Sequence, residues 1–522
     1  MAKNAVLSQK EHSPKASSKK AADTMRPIAT EVLIIGAGIS GIGAAIRLRE
    51  QGETDFIVLE KAQALGGTWR DNTYPGCACD VPSALYSYSF AQNPRWSKVF
   101  AGQAEILDYV NDVAARFQVE PHIRYGEPAT STQWDERRCR WVVRTERAEY
   151  HARVIISCAG YLHEPQIPDI PGLPEFNGKI FHSSHWDHQH DLRGERVAVI
   201  GTGASAIQFV PQIQPQVKEL VLFQRTPQWI LPKPNQTMGA TSKTLLGLPF
   251  AMSALRGMLY SGLEVFGVGF RRPALLRQIE KIARAHINLS VKDPALRAKL
   301  TPDYTLGCKR VLLSNDYYPA LCQPNVDVLA TGVKAVRGNV LIGQDGSERE
   351  VDTIILGTGF HVSDPPIAEQ VRGTDGRTLA EIWNGSPQAY RGTTIAGFPN
   401  LFLVLGPNLA IGNNSAFIVI ESQLNYAMGA IKTMREKSLV RIEVREAEQR
   451  RYNSKVQDAL QGTVWNTGGC SSYYIDRNGK NSIGFPWSSG TMQRLLKNFD
   501  VESYQVQAVD EQPFMIEEAL SS

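Results

Sequence analysis

Short apolar runs, each closed by glycine or a polar turn, recur along the chain. The first is Glu31-Val32-Leu33-Ile34-Ile35, followed by Phe56-Ile57-Val58-Leu59 and Val154-Ile155-Ile156-Ser157. Later come Val197-Ala198-Val199-Ile200, Glu219-Leu220-Val221-Leu222-Phe223-Gln224, Val351-Asp352-Thr353-Ile354-Ile355-Leu356 and Asn400-Leu401-Phe402-Leu403-Val404-Leu405. Runs this short fit strands buried on both faces of a parallel sheet. Residues 42–51 and 415–432 have helical spacing instead. Residues 134–154 alternate loosely around Trp141-Val142-Val143, which predicts a small antiparallel meander appended to the main fold. Residues 235–300 read as a helical insert packing on the second unit, with Arg256 and Glu264 interrupting its most apolar stretch.

Two of the strands run into glycine loops followed by helices. The first loop is Gly36-Ala37-Gly38-Ile39-Ser40-Gly41, with Glu60 at the end of the next strand. Glycines there allow a tight turn and let a pyrophosphate approach the helix N-terminus, and the acid can accept hydrogen bonds from a ribose. The second loop is Gly201-Thr202-Gly203-Ala204-Ser205-Ala206, and its following strand ends in Arg225-Thr226 rather than an acid. A cation at that place suits a 2′-phosphate, so the second unit is expected to take NADPH while the first takes another dinucleotide. The prediction is an α/β protein with two Rossmann-like dinucleotide-binding domains. Residues 30–165 and 357–522 would form the first dinucleotide domain and 166–356 the NADPH domain.

Composition narrows this little. Of 522 residues, 43% are hydrophobic and 21% charged, and a formal net charge of +4 leaves no nucleic-acid footprint. No run is long and apolar enough to span a membrane, although peripheral contact through the insert fits a greasy substrate. Seven scattered cysteines without Cys-x-x-Cys spacing predict free thiols, no zinc site and a cytoplasmic location. Residues 1–29, rich in Ser, Lys and Ala, read as a disordered tail.

Candidate chemistry comes from the stretch between the loops. Phe176, Gly178, His182, Trp186 and Asp187 occupy the fixed positions of Phe-x-Gly-x-x-x-His-x-x-x-Trp-Pro/Asp. This resembles the fingerprint of Baeyer–Villiger monooxygenases, flavoproteins that insert one oxygen atom beside a ketone carbonyl. Other motifs of that family occur in order: Gly66-Gly67-Thr68-Trp69, Tyr74-Pro75-Gly76 leading to Asp80, Lys309-Arg310 before Tyr317-Tyr318, and Gly357-Thr358-Gly359-Phe360. Where relatives carry Ser-Trp-Tyr, this chain has Ser472-Tyr473-Tyr474.

The resemblance implies that Thr68, Trp69, Asp80 and Tyr86 contact the flavin. It also implies that Lys309 helps bind the 2′-phosphate, that Tyr473 lies near NADP and substrate, and that the fingerprint links cofactor binding to domain movement. In such enzymes NADPH reduces FAD, and O2 then gives a C4a-peroxide that attacks the carbonyl carbon, yielding an ester or lactone. Arg310 would supply the cation beside the reacting oxygen, and Asp80 would hold Arg310. The alternative within the same architecture is an N- or S-oxygenating monooxygenase, which needs no such cation. A pyridine nucleotide–disulfide reductase would need a redox-active pair such as Cys77 and Cys79, which only one residue separates.

Overall fold

The computed structural model describes residues 26–509, so most of the predicted tail lies outside them. Its last two residues, Ile28 and Ala29, are already in strand β1 (Ile28–Ile35). Two parallel sheets organise the chain. In the first, β1 lies between β2 (Phe56–Glu60) and β6 (Glu149–Ser157), parallel to both, with Ile35 opposite Leu59 and Ser157. Strand β3 (Ile123–Tyr125) extends it beyond β2, and Leu401–Leu403 pairs alongside β6. The central strands are apolar because helices cover both faces. Helix α1 (Ile39–Glu50) presents Gly43 to Tyr88 and Leu424, which lie 3.0–3.1 Å from where a Cβ would sit.

The expected meander exists as β4 (Ser131–Asp135), β5 (Arg140–Arg144) and β6. It is not appended: its third strand is the one beside β1, so the hairpin continues the main sheet. Trp134 and Trp141 face each other across it at 5.5 Å, and the Trp141 indole donates to the Pro399 carbonyl at 2.8 Å.

The second sheet runs in the order Val326–Leu329, β9 (Glu219–Phe223), β8 (Arg196–Ile200), Thr353–Leu356 and β7 (Lys179–His182), all parallel. Helix α2 (Ala206–Ile213) follows its glycine loop.

The insert begins its helices at Ala240, later than predicted. Before it, Gln236 and Met238 pair through their backbones with Val99 and Ser97, an extended strap that the polar sequence does not announce. The insert also leans on the first unit. The Arg256 guanidinium donates to the Ala84 carbonyl at 2.6 Å and the Ser87 hydroxyl at 2.8 Å, and Glu264 accepts from Asn414 and Ser489. The two charges that interrupt its apolar run are the contacts that dock it. Among the described residues, no helix is long and apolar enough to cross a membrane.

Candidate active site

The second glycine loop opens on a cavity of about 920 Å³, which Ile35, at the strand end before the first loop, also lines. At the first loop, Gly36 has φ +102°, and a Cβ there would lie 2.6 Å from the Cys158 carbonyl oxygen. A Cβ on Gly41 would lie 1.8 Å from the Gly36 oxygen, and Gly38 faces Gly67. Gly36 and Gly41 leave no room for a side chain, while a Cβ on Gly38 would lie 3.6 Å from the Gly67 α-carbon, and the loop leaves backbone amides clear for an anion. Glu60 is buried, accepting from the Ala37 amide at 2.8 Å and pairing with Arg70 at 3.1 Å. It therefore sits under the loop, where a ribose would be read. None of these four predicted residues lines the cavity itself; Ile35, just before the loop, does.

Thr68, Trp69 and Tyr86 do line it. The Trp69 indole donates to the Tyr86 hydroxyl at 3.1 Å, and Tyr86 meets Phe417 edge-on at 5.0 Å, giving a rigid aromatic wall. Burial raises the Tyr86 phenol well above its usual range.

At the second loop, Gly201 (φ +108°) packs its α-carbon against Gly357, and Gly201, Thr202, Gly203, Ala204 and Ser205 all line the cavity. The Thr202 hydroxyl donates to the Thr226 carbonyl at 3.1 Å, which fixes Thr226 and Arg225 beside the loop. Lys309 lies on the same wall, its ammonium over the Tyr304 ring at 5.4 Å. Burial, and then the Arg225 charge, lowers the Lys309 ammonium below its usual value. A phosphate dianion beside Arg225 and Lys309 would offset both causes at Lys309. The residues present fit NADPH.

Asp80 and Arg310 meet across the cavity in a two-point ion pair, Nε to Oδ2 at 2.8 Å and Nη2 to Oδ1 at 2.7 Å. Their side chains remain 21% and 41% exposed, so the pair faces the open space. Burial opposes ionisation of Asp80, but the Arg310 charge and hydrogen bonds outweigh it and hold the carboxyl below its usual value. Asp80 in turn raises the guanidinium well above its ordinary range. Tyr473, 46% exposed, stacks on buried Tyr474 at 4.6 Å on the same wall.

The fingerprint residues do not line the cavity; they brace it. Phe176 is buried, and a Cβ on Gly178 would lie 2.1 Å from the Asp352 carbonyl oxygen. His182, fully buried, accepts from the Ser184 amide at 3.1 Å and lies edge-on to Phe360 at 5.6 Å. Burial and then His185 push its imidazole down to about 4. Trp186 packs on Phe181 and on Phe209 of α2, and Asp187 pairs with Lys179 at 2.6 Å. The stretch thus ties β7 to the helix behind the second glycine loop.

Sequence reasoning misses Gln208. From α2 its side chain accepts from the Tyr74 hydroxyl at 3.1 Å and the Ala78 amide at 3.2 Å, and donates to the Ala78 carbonyl at 3.0 Å. This joins the second loop's helix to the segment carrying Asp80. It also misses Lys233, whose ammonium lies over the Phe100 ring at 5.3 Å and whose charge further favours ionised Asp80. Neither belongs to a spaced motif.

The expectation of free thiols is wrong for two residues. Cys308 and Cys470 form a disulfide over 162 positions. An apolar cluster holding Leu306, Cys308, Trp465 and Tyr474 folds the segments together, a long-range contact that spacing cannot reveal. Their adjacency to Lys309-Arg310 and to Ser472-Tyr473 is the one available signal. Cys77 and Cys79 are free. Burial pushes the Cys77 thiol up to about 11 and Cys79 higher still, so neither is a thiolate near neutrality and a reductase pair is not supported.

Two largely parallel sheets, each running a strand into a glycine loop and helix, with the second loop and the end of β1 on one cavity, define an oxidoreductase of the two-dinucleotide class. A family model described as pyridine nucleotide-disulphide oxidoreductase matches residues 33–238. The chain is 50% identical over 478 residues to a Baeyer–Villiger monooxygenase of Streptomyces coelicolor, covering 91% of this chain and 92% of that protein. A protein of the same name from Pseudomonas aeruginosa is 46% identical, with 91% of each chain covered. The solved structure of cyclohexanone monooxygenase from Rhodococcus sp. Phi1 bound to NADP+ superposes with a TM-score of 0.82 at 26% identity, covering 92% of this chain and 100% of that one. The chain belongs to the Baeyer–Villiger monooxygenase family.

Proposed function

We propose that the protein binds FAD on the first unit (residues 30–165 and 357–509) and NADPH on the second (166–356), and converts ketones to esters or lactones. One O2 supplies one oxygen atom to the product and one to water, with NADPH providing the two electrons. The observation that carries this reading is the Asp80–Arg310 pair, which lies on the wall of the cavity that the second glycine loop also lines. Bound FAD would accept hydride from NADPH and activate O2 for insertion beside the carbonyl.

The chain's own residues do the rest. Gly36, Gly38 and Gly41 leave room for the FAD pyrophosphate, and Glu60 is placed for its ribose. The Trp69–Tyr86 wall would flank a bound flavin. Arg225, Thr226 and Lys309 take the 2′-phosphate. Arg310, permanently cationic, stabilises negative charge developing on the reacting oxygen, a preorganised effect on the order of 3 kcal/mol in a water-poor site. Asp80 sets the guanidinium's place through two charge-assisted hydrogen bonds. Tyr473, half-exposed at the rim, shapes the ketone's approach.

The test is Arg310→Ala. The variant should bind FAD and oxidise NADPH, yet form no ester from ketones that the parent converts. Full ester turnover in Arg310→Ala would remove Arg310 from the mechanism. N- or S-oxidation surviving in that variant while ester formation is lost would tie Arg310 to carbonyl chemistry in particular.

A further inference from the structure

We propose that the Cys308–Cys470 disulfide is a thiol-sensitive cross-link that positions the two cavity walls carrying Arg310 and Tyr473. Reduction by a dithiol would release the Tyr473 loop and weaken binding in the cavity. The proposal rests on the reading of this cavity as the active site.

The cross-link sits directly behind both walls. Cys308 immediately precedes Lys309 and Arg310, and Cys470 opens the run to Ser472 and Tyr473, all of which face the cavity apart from the cysteines themselves. On the Cys308 side the chain is firmly packed. Gly307 has φ +93°, and Phe270 and Leu276 lie 2.9–3.0 Å from where its Cβ would sit. On the Cys470 side the ties are made by side chains: Cys470 packs against the cluster holding Trp465 and Tyr474, and buried Tyr474 meets Trp465 at 5.6 Å. The Thr305 amide donates to the Gly468 carbonyl at 2.9 Å, but among the described residues no backbone hydrogen bond joins residues 469–473 to another segment. Between Gly468 and buried Tyr474, the disulfide is therefore the covalent tie that holds the run leading to Tyr473. Gly468 makes room for it: a Cβ there would lie 2.5 Å from the Cys308 Cβ and 2.8 Å from its Sγ.

Access is unequal. Cys308 is 1% exposed, whereas Cys470 is half-buried. A reductant thiolate thus attacks the Cys470 Sγ. The S–S bond breaks, its electron pair leaves on the Cys308 Sγ, and that sulfur takes up a proton. The reductant's second thiol then displaces the mixed disulfide and releases Cys470 as a thiol. The protein gains two electrons and two protons, and the dithiol closes to its own disulfide. Once freed, the loop must be ordered again at each binding event, which appears as weaker binding rather than slower chemistry.

The experiment uses the FAD-loaded full chain prepared without reductant. Peptide mass mapping should find the Cys308 and Cys470 peptides joined. Dithiothreitol should raise the NADPH dissociation constant and the KM for ketone by about threefold or more with kcat little changed, as loop reordering predicts. Re-oxidation should reverse both. Cys470→Ser and Cys308→Ala should each show the weaker binding from the outset and ignore dithiothreitol. Absence of joined peptides, or joined peptides whose reduction leaves the dissociation constant and KM unchanged, would overturn the proposal. Linkage and NADPH binding need no ketone turnover, so a protein inactive on ketones would sink the proposed reaction without deciding this point.

Discussion

Asp80 and Arg310 stand 230 positions apart in the chain and close a two-point ion pair at 2.7–2.8 Å on the cavity wall. Asp80 comes from the loop after the first unit's nucleotide site, and Arg310 from the segment entering the second unit's last strands. The pair therefore measures how the two units sit relative to each other. Asp80→Asn keeps the side chain's size but removes its charge and one acceptor oxygen. Arg310 would lose its fixed place while remaining cationic. FAD content and NADPH oxidation should change little, whereas ester formed per NADPH consumed should fall about tenfold or more, with hydrogen peroxide accounting for the difference. Product chromatography alongside a peroxide assay reads both quantities. An unchanged ratio would leave Asp80 no positioning role.

Arg225 and Lys309 predict cofactor preference. Both line the cavity beside the second glycine loop, and the Arg225 charge, after burial, helps to lower the Lys309 ammonium. Removing either as Ala should cost about 1.5–3 kcal/mol of NADPH binding, the usual worth of a hydrogen bond to a charged group. NADH, lacking the 2′-phosphate, should bind both variants as it binds the parent. Equal losses for the two cofactors would place the cations elsewhere on the nucleotide.

The parts of this molecule that are legible in sequence are those written locally. Strand, glycine loop and helix follow one another within thirty or so residues, so periodicity and glycine spacing locate both units. The Asp80–Arg310 pair is legible only through resemblance, because nothing in either segment's own pattern points to the other. Contacts between distant segments with no spacing rule stay hidden. Gln208 is an ordinary helical residue until Tyr74 and Ala78 are found beside it. Gln236 and Met238 fall in the stretch that reads as helical insert, yet in space they are extended backbone paired with Val99 and Ser97. Cys308 and Cys470 read as two free thiols for the same reason.

Gly178 tests whether the fingerprint braces the fold. Its α-carbon abuts the Asp352 carbonyl, with 2.1 Å left for a Cβ, and the Phe176 ring would stand 2.6 Å away. The carbonyl belongs to the backbone and precedes Thr353–Leu356, which lies between β7 and β8, so it cannot step aside cheaply. Gly178→Ala should destabilise the protein by about 1–3 kcal/mol, the usual cost of overpacking, and lower the thermal midpoint. Where the variant still folds, its FAD should stay bound while NADPH affinity drops, since the disturbed sheet carries the second loop. A parent-like melting curve would show that the sheet accommodates the methyl.

His182 supplies a pH dependence with a definite sign. It is fully buried, and its pKa is pushed down to about 4 by burial and then by His185, against about 6.5 for an unfolded histidine. Between those values the unfolded chain binds the proton that the folded chain refuses. The stabilising contribution is complete above about 6.5 and is lost progressively as pH falls towards 4, reaching about 3 kcal/mol at most. Other groups also titrate in this range, so the difference between parent and His182→Asn isolates the effect. From pH 7.5 to pH 5 the parent's thermal midpoint should fall more than the variant's, although the variant starts lower at pH 7.5 through loss of the Ser184 contact. Parallel curves would mean that the imidazole accepts its proton inside the fold and that His182 does not sense pH.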